Sequence, residues 1–236
     1  MTLDELRAQV RALGRPETAR VLQGFFKTGA GQYGEGDVFL GIKAPVLRKL
    51  AKSAQGLDMP ATLTLLASSF HEERLLALLL LMQRFTGGDE DPRQAVYQAY
   101  LDNTACINNW DLVDISAPHI VGAYLQDKER SKLQALVLSS SLWERRIAMV
   151  SCLHFIRHGD FNDTLQLAAQ LLYDREDLMH KAAGWMLREV GKRDQARLEG
   201  FLDEHGRAMP RTMLRYAIER FSPELRQAYL RVKFQN

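Results

Sequence analysis

The chain has 236 residues, 46% of them hydrophobic, which is enough to bury a substantial core in one elongated domain or two small ones. A net charge of +2 does not by itself announce a nucleic-acid partner, and the longest apolar run, Leu75 to Met82, is far too short to span a bilayer. Asp4 and Glu5 stand where a secretory leader would be basic and then apolar, so the expected location is the cytoplasm, with no membrane attachment. Cys106 and Cys152 lie far apart in apolar helical pattern, with no Cys-x-x-Cys and no histidine at ligand spacing, so neither a disulfide framework nor a zinc site is expected.

In chain order, residues 2–13 read as an amphipathic helix with a Thr2/Glu5 capping box, and 16–26 as a second. The pattern then breaks at Lys27-Thr-Gly-Ala-Gly-Gln-Tyr-Gly-Glu-Gly. Gly29, Gly31 and Gly34 match the dinucleotide fingerprint on paper, but a helix precedes them and no Lys-Ser/Thr follows. This is an expected irregular loop, with Tyr33 at its tip as a candidate ligand contact. Helices are then expected over 45–53, 59–68, 71–85, 92–101, 110–125, 127–137, 142–157, 160–172, 175–192, 194–204, 210–221 and 223–232. No alternating strand pattern is persuasive, so the expected class is all-α.

A faint period runs through these helices. Glu73-Arg-Leu-Leu-Ala-Leu-Leu can be laid over Glu144-Arg-Arg-Ile-Ala-Met-Val at a separation of 71 residues. That is two units of about 36 residues, the size of a helix pair in a HEAT-like solenoid. The expected architecture is a curved solenoid of HEAT-like antiparallel helix pairs, residues 1–236 forming one domain with a concave basic groove. From Gly206 onward Arg207, Arg211, Arg215, Arg220, Arg226, Arg231 and Lys233 face only Glu219 and Glu224. Such a face is either an ordinary solvated surface or a phosphate contact.

The stretch from Asn108 to Pro118, Asn-Asn-Trp-Asp-Leu-Val-Asp-Ile-Ser-Ala-Pro, draws the most attention. As the start of an Asn-capped helix it puts Trp110 and Asp114 four residues apart on one side, with Leu112 and Val113 free to point inward. Asp111 in the first turn suits the helix dipole, whereas Asp114 sits beside a large aromatic where a leucine would pack better. The pair is either a core anchor beside a solvated acid, or a carboxylate held against an aromatic wall to stabilise a developing positive charge. Trp143 and Trp185 each stand near charged residues as well: Glu144, Arg145 and Arg146 follow the first, Arg188 and Glu189 the second. Residues at matching places in successive repeats line up, so the three tryptophans can converge. Gly184, costing about 1 kcal/mol inside a helix, asks for the close approach of another helix or a ligand. Arg145 and Arg146 point about 100° apart, so one is expected to brace the fold against an acid while the other reaches the groove. His71-Glu72-Glu73-Arg74 is not a His-Glu-x-x-His metal site, and no Gly-x-Ser-x-Gly or Ser-x-x-Lys occurs. No metal or cofactor is therefore expected.

Phe39-Leu-Gly-Ile-Lys-Ala-Pro, Trp110-Asp-Leu-Val-Asp, Trp143-Glu-Arg-Arg, Gly184-Trp-Met-Leu-Arg-Glu and Pro210-Arg-Thr-Met-Leu-Arg-Tyr together resemble the AlkD family of alkylpurine DNA glycosylases. The likeness runs over nearly the whole chain and in the family's order. It implies an enzyme that excises cationic N3- and N7-alkylated purines from duplex DNA held in the concave face, without a snug base pocket. By the same resemblance Asp114 is the catalytic carboxylate, Trp110 and Trp185 flank the lesion's deoxyribose, and Arg146 is the groove arginine. Tyr33 resembles a further contact, although the loop before Phe39 differs in length by about one residue. Asn109 stands where some members carry a second tryptophan. Arg188, Arg211 and Arg215 complete the expected DNA-binding set, and a monomer suits a protein that must wrap a duplex. The rival reading is a non-enzymatic helical-repeat scaffold that binds DNA or protein through the same groove.

Overall fold

A computed structural model describes residues 1–231; Val232 and Lys233 of the expected basic tail lie outside them. The described residues are helical throughout, with one isolated bridge between Val38 and Phe70 and no strand. The chain forms two compact units, Met1–Ser116 and the part from Ala117 onward.

The first unit contains α1 (Leu3–Ala12), α2 (Pro16–Phe25), α3 (Ala44–Ser53), α4 (Met59–Leu66), α5 (His71–Gly87), α6 (Glu90–Asp102) and most of α7 (Trp110–Ala117). The capping box forms as expected, with Thr2 Oγ1 accepting the Glu5 N–H at 3.2 Å and Glu5 Oε2 the Thr2 N–H at 2.8 Å. Helix α5 is the axis of this unit, packed by α3, α4 and α6 and buried along Leu75 to Leu81. Its first turn is unusual. His71, Glu72, Glu73 and Arg74 are all buried, where unpaired charges would be very costly.

Each of these charges is answered. The Glu72 carboxylate accepts the backbone N–H groups of Leu40, Gly41 and Ile42 at 2.8, 2.7 and 3.1 Å, which fixes the Phe39-Leu-Gly-Ile segment against α5. Glu73 pairs with Arg11 at 3.0 Å and with Arg7 at 3.4 Å, tying α1 to the same turn. Arg74 donates to the Ser68 carbonyl at 3.0 Å and to Asp37 at 2.6 Å.

The second unit contains α8 (Ser131–Val137), α9 (Leu142–Arg157), α10 (Asn162–Gln170), α11 (Asp177–Gly191), α12 (Gln195–His205), α13 (Arg211–Ala217) and α14 (Pro223–Arg231). Consecutive helices pack as stacked pairs, α8 on α9 and α10 on α11, with α9 and α11 also in contact. Two expected helices differ for identifiable reasons. The span expected over 110–125 is helical through residue 124 but changes type after Ala117: Pro118 lacks the N–H to continue the α-helical ladder, and Pro118–Gly122 forms a π-helical turn. The span expected from residue 127 begins at Ser131, because Arg130 folds back on the connection, donating to the Gln126 carbonyl at 2.8 Å and to Asp160 and Asp163 at 2.7 and 2.6 Å.

Glu72→Gln should destabilise the protein by about 2–3 kcal/mol, since an amide NH2 must face an N–H that the carboxylate now accepts. Urea unfolding followed by circular dichroism checks this; an unchanged midpoint would contradict it.

Candidate functional site

Helix α7 begins at Trp110 with Asn109 before it. The buried Asn109 side chain binds the Trp110 N–H through Oδ1 at 2.9 Å and donates through Nδ2 to Asp37 at 3.2 Å, so it serves as packing and cap at once. Leu112 and Val113 are fully buried, as their positions predict, while Trp110 and Asp114 are both half-buried on the helix face between core and surface.

What holds this helix start is a charged histidine. His71 Nδ1 lies 2.8 Å from Asp37 Oδ2 and its Nε2 lies 2.8 Å from Asp111 Oδ2. Carboxylates accept and do not donate, so a ring bonded to one at each nitrogen is an imidazolium. Burial alone would push the ring toward neutrality, but the bonds to Asp111 and Asp37 outweigh it and raise its pKa to about 9. Burial would likewise raise Asp37, yet His71 and Arg74 hold its carboxyl below the usual range. Asp111 adjoins Trp110 in the chain, so this contact pins the turn from which both Trp110 and Asp114 project.

Aromatic rings complete the clamp. Phe26 stacks between Phe39, at 4.9 Å and 22°, and Trp110, at 5.1 Å and 17°; Phe39 in turn stacks on the His71 ring at 4.3 Å. Phe25 meets Trp110 edge-on at 5.9 Å and is 61% exposed. An exposed phenyl ring against a half-exposed indole makes a two-ring apolar wall at the protein surface. In the sequence Phe25 carries no signal beyond its place in the amphipathic pattern of 16–26. Tyr33 is half-buried in the irregular loop that follows α2.

The second unit carries the other expected site residues. Arg145 braces the fold, its Nε 2.6 Å from Asp174, while it also donates to the Ser139 and Ser140 carbonyls at 3.0 Å. The Arg146 side chain is buried and donates to the Leu178 carbonyl of α11 at 2.9 Å, which fixes the direction of its guanidinium. Trp143 and Trp185 are half-buried. Gly184 is explained by its neighbouring helix, since a Cβ there would stand 2.5 Å from the Met213 carbonyl and 2.6 Å from Tyr216 Cβ of α13. Arg188 is ion-paired with Glu219, whereas Arg211 and Arg215 are exposed, Arg211 donating to the Leu230 carbonyl at 2.9 Å. Among the described residues no group of three or more His, Cys, Asp or Glu is placed to hold a metal ion, and none of the helices is long and apolar enough to cross a membrane.

A family model described as DNA alkylation repair enzyme matches residues 6–221. The chain belongs to that family. A solved structure, a predicted DNA alkylation repair enzyme from Enterococcus faecalis, is similar to it with a TM-score of 0.68 at 18% identity, covering 89% of this chain and 97% of that one. At that identity the likeness speaks for the fold. No curated protein matches the chain. Within a family of DNA alkylation repair enzymes the expected substrate is DNA, and the first unit's anchored tryptophan and acid are the residues to test.

Because the His71 pKa is raised, its contribution to stability is fully present below the unfolded value near 6.5 and is lost as pH rises through about 9. Urea unfolding should therefore show a loss of about 3 kcal/mol between pH 7 and pH 10. His71→Gln should be less stable at neutral pH and lack that alkaline loss. Identical pH profiles for the two proteins would refute the charged-histidine clamp.

Proposed function

We propose that this protein is a monofunctional DNA glycosylase that hydrolyses the N-glycosidic bond of cationic N3- and N7-alkylated purines, of the 3-methyladenine and 7-methylguanine type, in duplex DNA. The observation that carries the reading is the half-buried Asp114 carboxylate, one turn beyond the half-buried Trp110 indole, on a helix whose first turn is held by buried ion pairs. A non-enzymatic scaffold has no use for that arrangement.

An alkylated purine is already positively charged and leaves without a general acid, so a single carboxylate suffices. As the bond lengthens the sugar becomes oxocarbenium-like. Asp114 stabilises that charge and orients the attacking water, and Trp110 and Trp185 offer electron-rich faces to the sugar. Phe25, standing beside Trp110, extends the aromatic wall toward the same nucleotide. Unmodified purines are spared because they leave poorly.

Arg146, Arg188, Arg211, Arg215 and Tyr33 form the proposed DNA-contacting set. Arg146 is pre-oriented by the Leu178 carbonyl, whereas the exposed Arg211 and Arg215 suit diffuse phosphate neutralisation. In this reading the protein works as a monomer in the cytoplasm and needs neither metal nor cofactor.

Asp114→Asn should bind duplex DNA as tightly as the parent and lose at least about a hundredfold in single-turnover release of 7-methylguanine. Excision at the parental rate would remove Asp114 from the chemistry. Arg215→Ala, a change at the surface, should leave folding intact and reduce the slope of log affinity against log salt by about 0.9. A slope identical to the parent's would mean that Arg215 touches no phosphate.

A further inference from the structure

The two most exposed large apolar side chains among the described residues, Leu138 at 77% and Tyr173 at 80%, both belong to the second unit, and the proposed reaction uses neither. Leu138 follows α8, and Tyr173 closes the short 3-10 turn after α10. Each stands four residues before the next helix, α9 or α11, so they hold the same place in successive helix pairs. A single exposed leucine or tyrosine is ordinary. Two at matching places, in a stack where α9 and α11 touch, make a continuous apolar edge.

The two turns are fastened to each other. Arg145 donates to the Ser139 and Ser140 carbonyls at 3.0 Å and, through Nε, to Asp174 at 2.6 Å, so one guanidinium grips the residue after Leu138 and the residue after Tyr173. The Ser139 hydroxyl also donates to Glu144, and the Ser141 hydroxyl caps α9. Stacked helices lie about 8–10 Å apart, so the two side chains project from a rigid mount at roughly that spacing. Groups held this firmly give up little further freedom on binding. The neighbours of the edge point to its occupant. Arg146, assigned above to the nucleic acid, is anchored on the Leu178 carbonyl at 2.9 Å, in the first turn of the helix that follows Tyr173. Exposed cations continue the line: Arg175 comes two residues after Tyr173, and Arg207 stands four residues before α13, the matching place in the third pair. Of the acids in these turns, Asp174 is bound to Arg145, Glu144 to Ser139 and Asp177 to Lys181, which leaves Glu176. An apolar edge that runs into cations suits a polyanion with an apolar interior, and duplex DNA is one: its base steps admit apolar side chains from the minor groove.

We propose that Leu138 and Tyr173 are paired wedges that enter the minor groove of the bound duplex and part its base steps, Leu138 by filling the gap and Tyr173 by stacking on a base. The assignment to DNA rests on the DNA-repair reading above. At about 8–10 Å apart the wedges span about two to three base steps of roughly 3.4 Å each. Both glycosidic bonds of a base pair lie on the minor-groove side, so steps parted there open the sugar face that the proposed hydrolysis needs.

The test uses undamaged duplexes carrying 2-aminopurine, which brightens when it unstacks, at successive positions. The parent should raise the fluorescence about threefold at one or two neighbouring positions, and the double variant Leu138→Ala, Tyr173→Ala at none. Tyr173→Phe, which keeps the ring, should retain the parental rise. The double variant should also bind about tenfold more weakly with an unchanged slope of log affinity against log salt, since no charge is lost. Both side chains lie at the surface, so its urea midpoint should stay parental. No rise with the parent, or an equal rise with the double variant, would overturn the wedges. Self-association of the parent in sedimentation that the double variant lacks would give the edge to a second copy of the chain and overturn its assignment to DNA. Release of 7-methylguanine by the parent is scored separately: excision without a rise that depends on Leu138 and Tyr173 loses the wedges alone, and such a rise without excision loses the glycosylase alone.

Discussion

Two carboxylates sharing one buried imidazolium set the geometry of the first unit. Asp37 comes from the loop after α2, His71 from the start of α5 and Asp111 from the start of α7, so the two bonds join three segments distant in sequence at one point. Arg74 and Asn109 occupy the remaining acceptors of Asp37, which leaves that carboxylate fully engaged. Removing His71 takes a charged partner from both carboxylates at once, a larger penalty than the loss of one bond. Phe39 then stacks on the imidazolium and Phe26 tilts against it, with Trp110 stacked on the far side of Phe26.

This constraint bears on the proposed function because it acts one residue away from Trp110 and three from Asp114. A carboxylate meant to stabilise a transient cation must already be in place when the charge develops, since reorganisation would return most of the gain. The charged clamp, the Asn109 cap and the buried Leu112 and Val113 supply that rigidity from three directions. The second unit uses a different device. There, Arg145 on Asp174 and Arg130 on Asp160 and Asp163 spend their charges on joining segments. The first unit thus buries the pairs around Asp37 almost completely, whereas the Arg130 pairs of the second are partly exposed.

Much of this was legible in the residues. Apolar periodicity placed the helices, the Thr2/Glu5 spacing announced the capping box, and α9 begins and ends where its pattern does. The inward direction of Leu112 and Val113 followed from helical spacing alone, which also sent Arg145 and Arg146 apart and left one of them for an acid, in the structure Arg145. Gly184 was readable as a close approach, though not which helix would make it. Other features were hidden. The run His71-Glu72-Glu73-Arg74 looks like a solvated first turn, because burial of charge leaves no trace in periodicity when the charged partners lie about 30 to 60 residues away. Phe25 and Phe26 are adjacent and chemically identical, and only the stacking on Trp110 separates the buried ring from the exposed one.

By itself, the sequence determined the all-helical class, the positions of most helices and the placing of an acid and an indole one turn apart on a helix, since these depend on spacings of three and four residues that a helix turns directly into neighbours. Tertiary structure alone decided that His71 is charged, that Glu72 fastens the Phe39 segment, and that Pro118 opens a π-helical turn against α9. These depend on which distant groups share a buried space, where the low dielectric makes each charge require a specific partner.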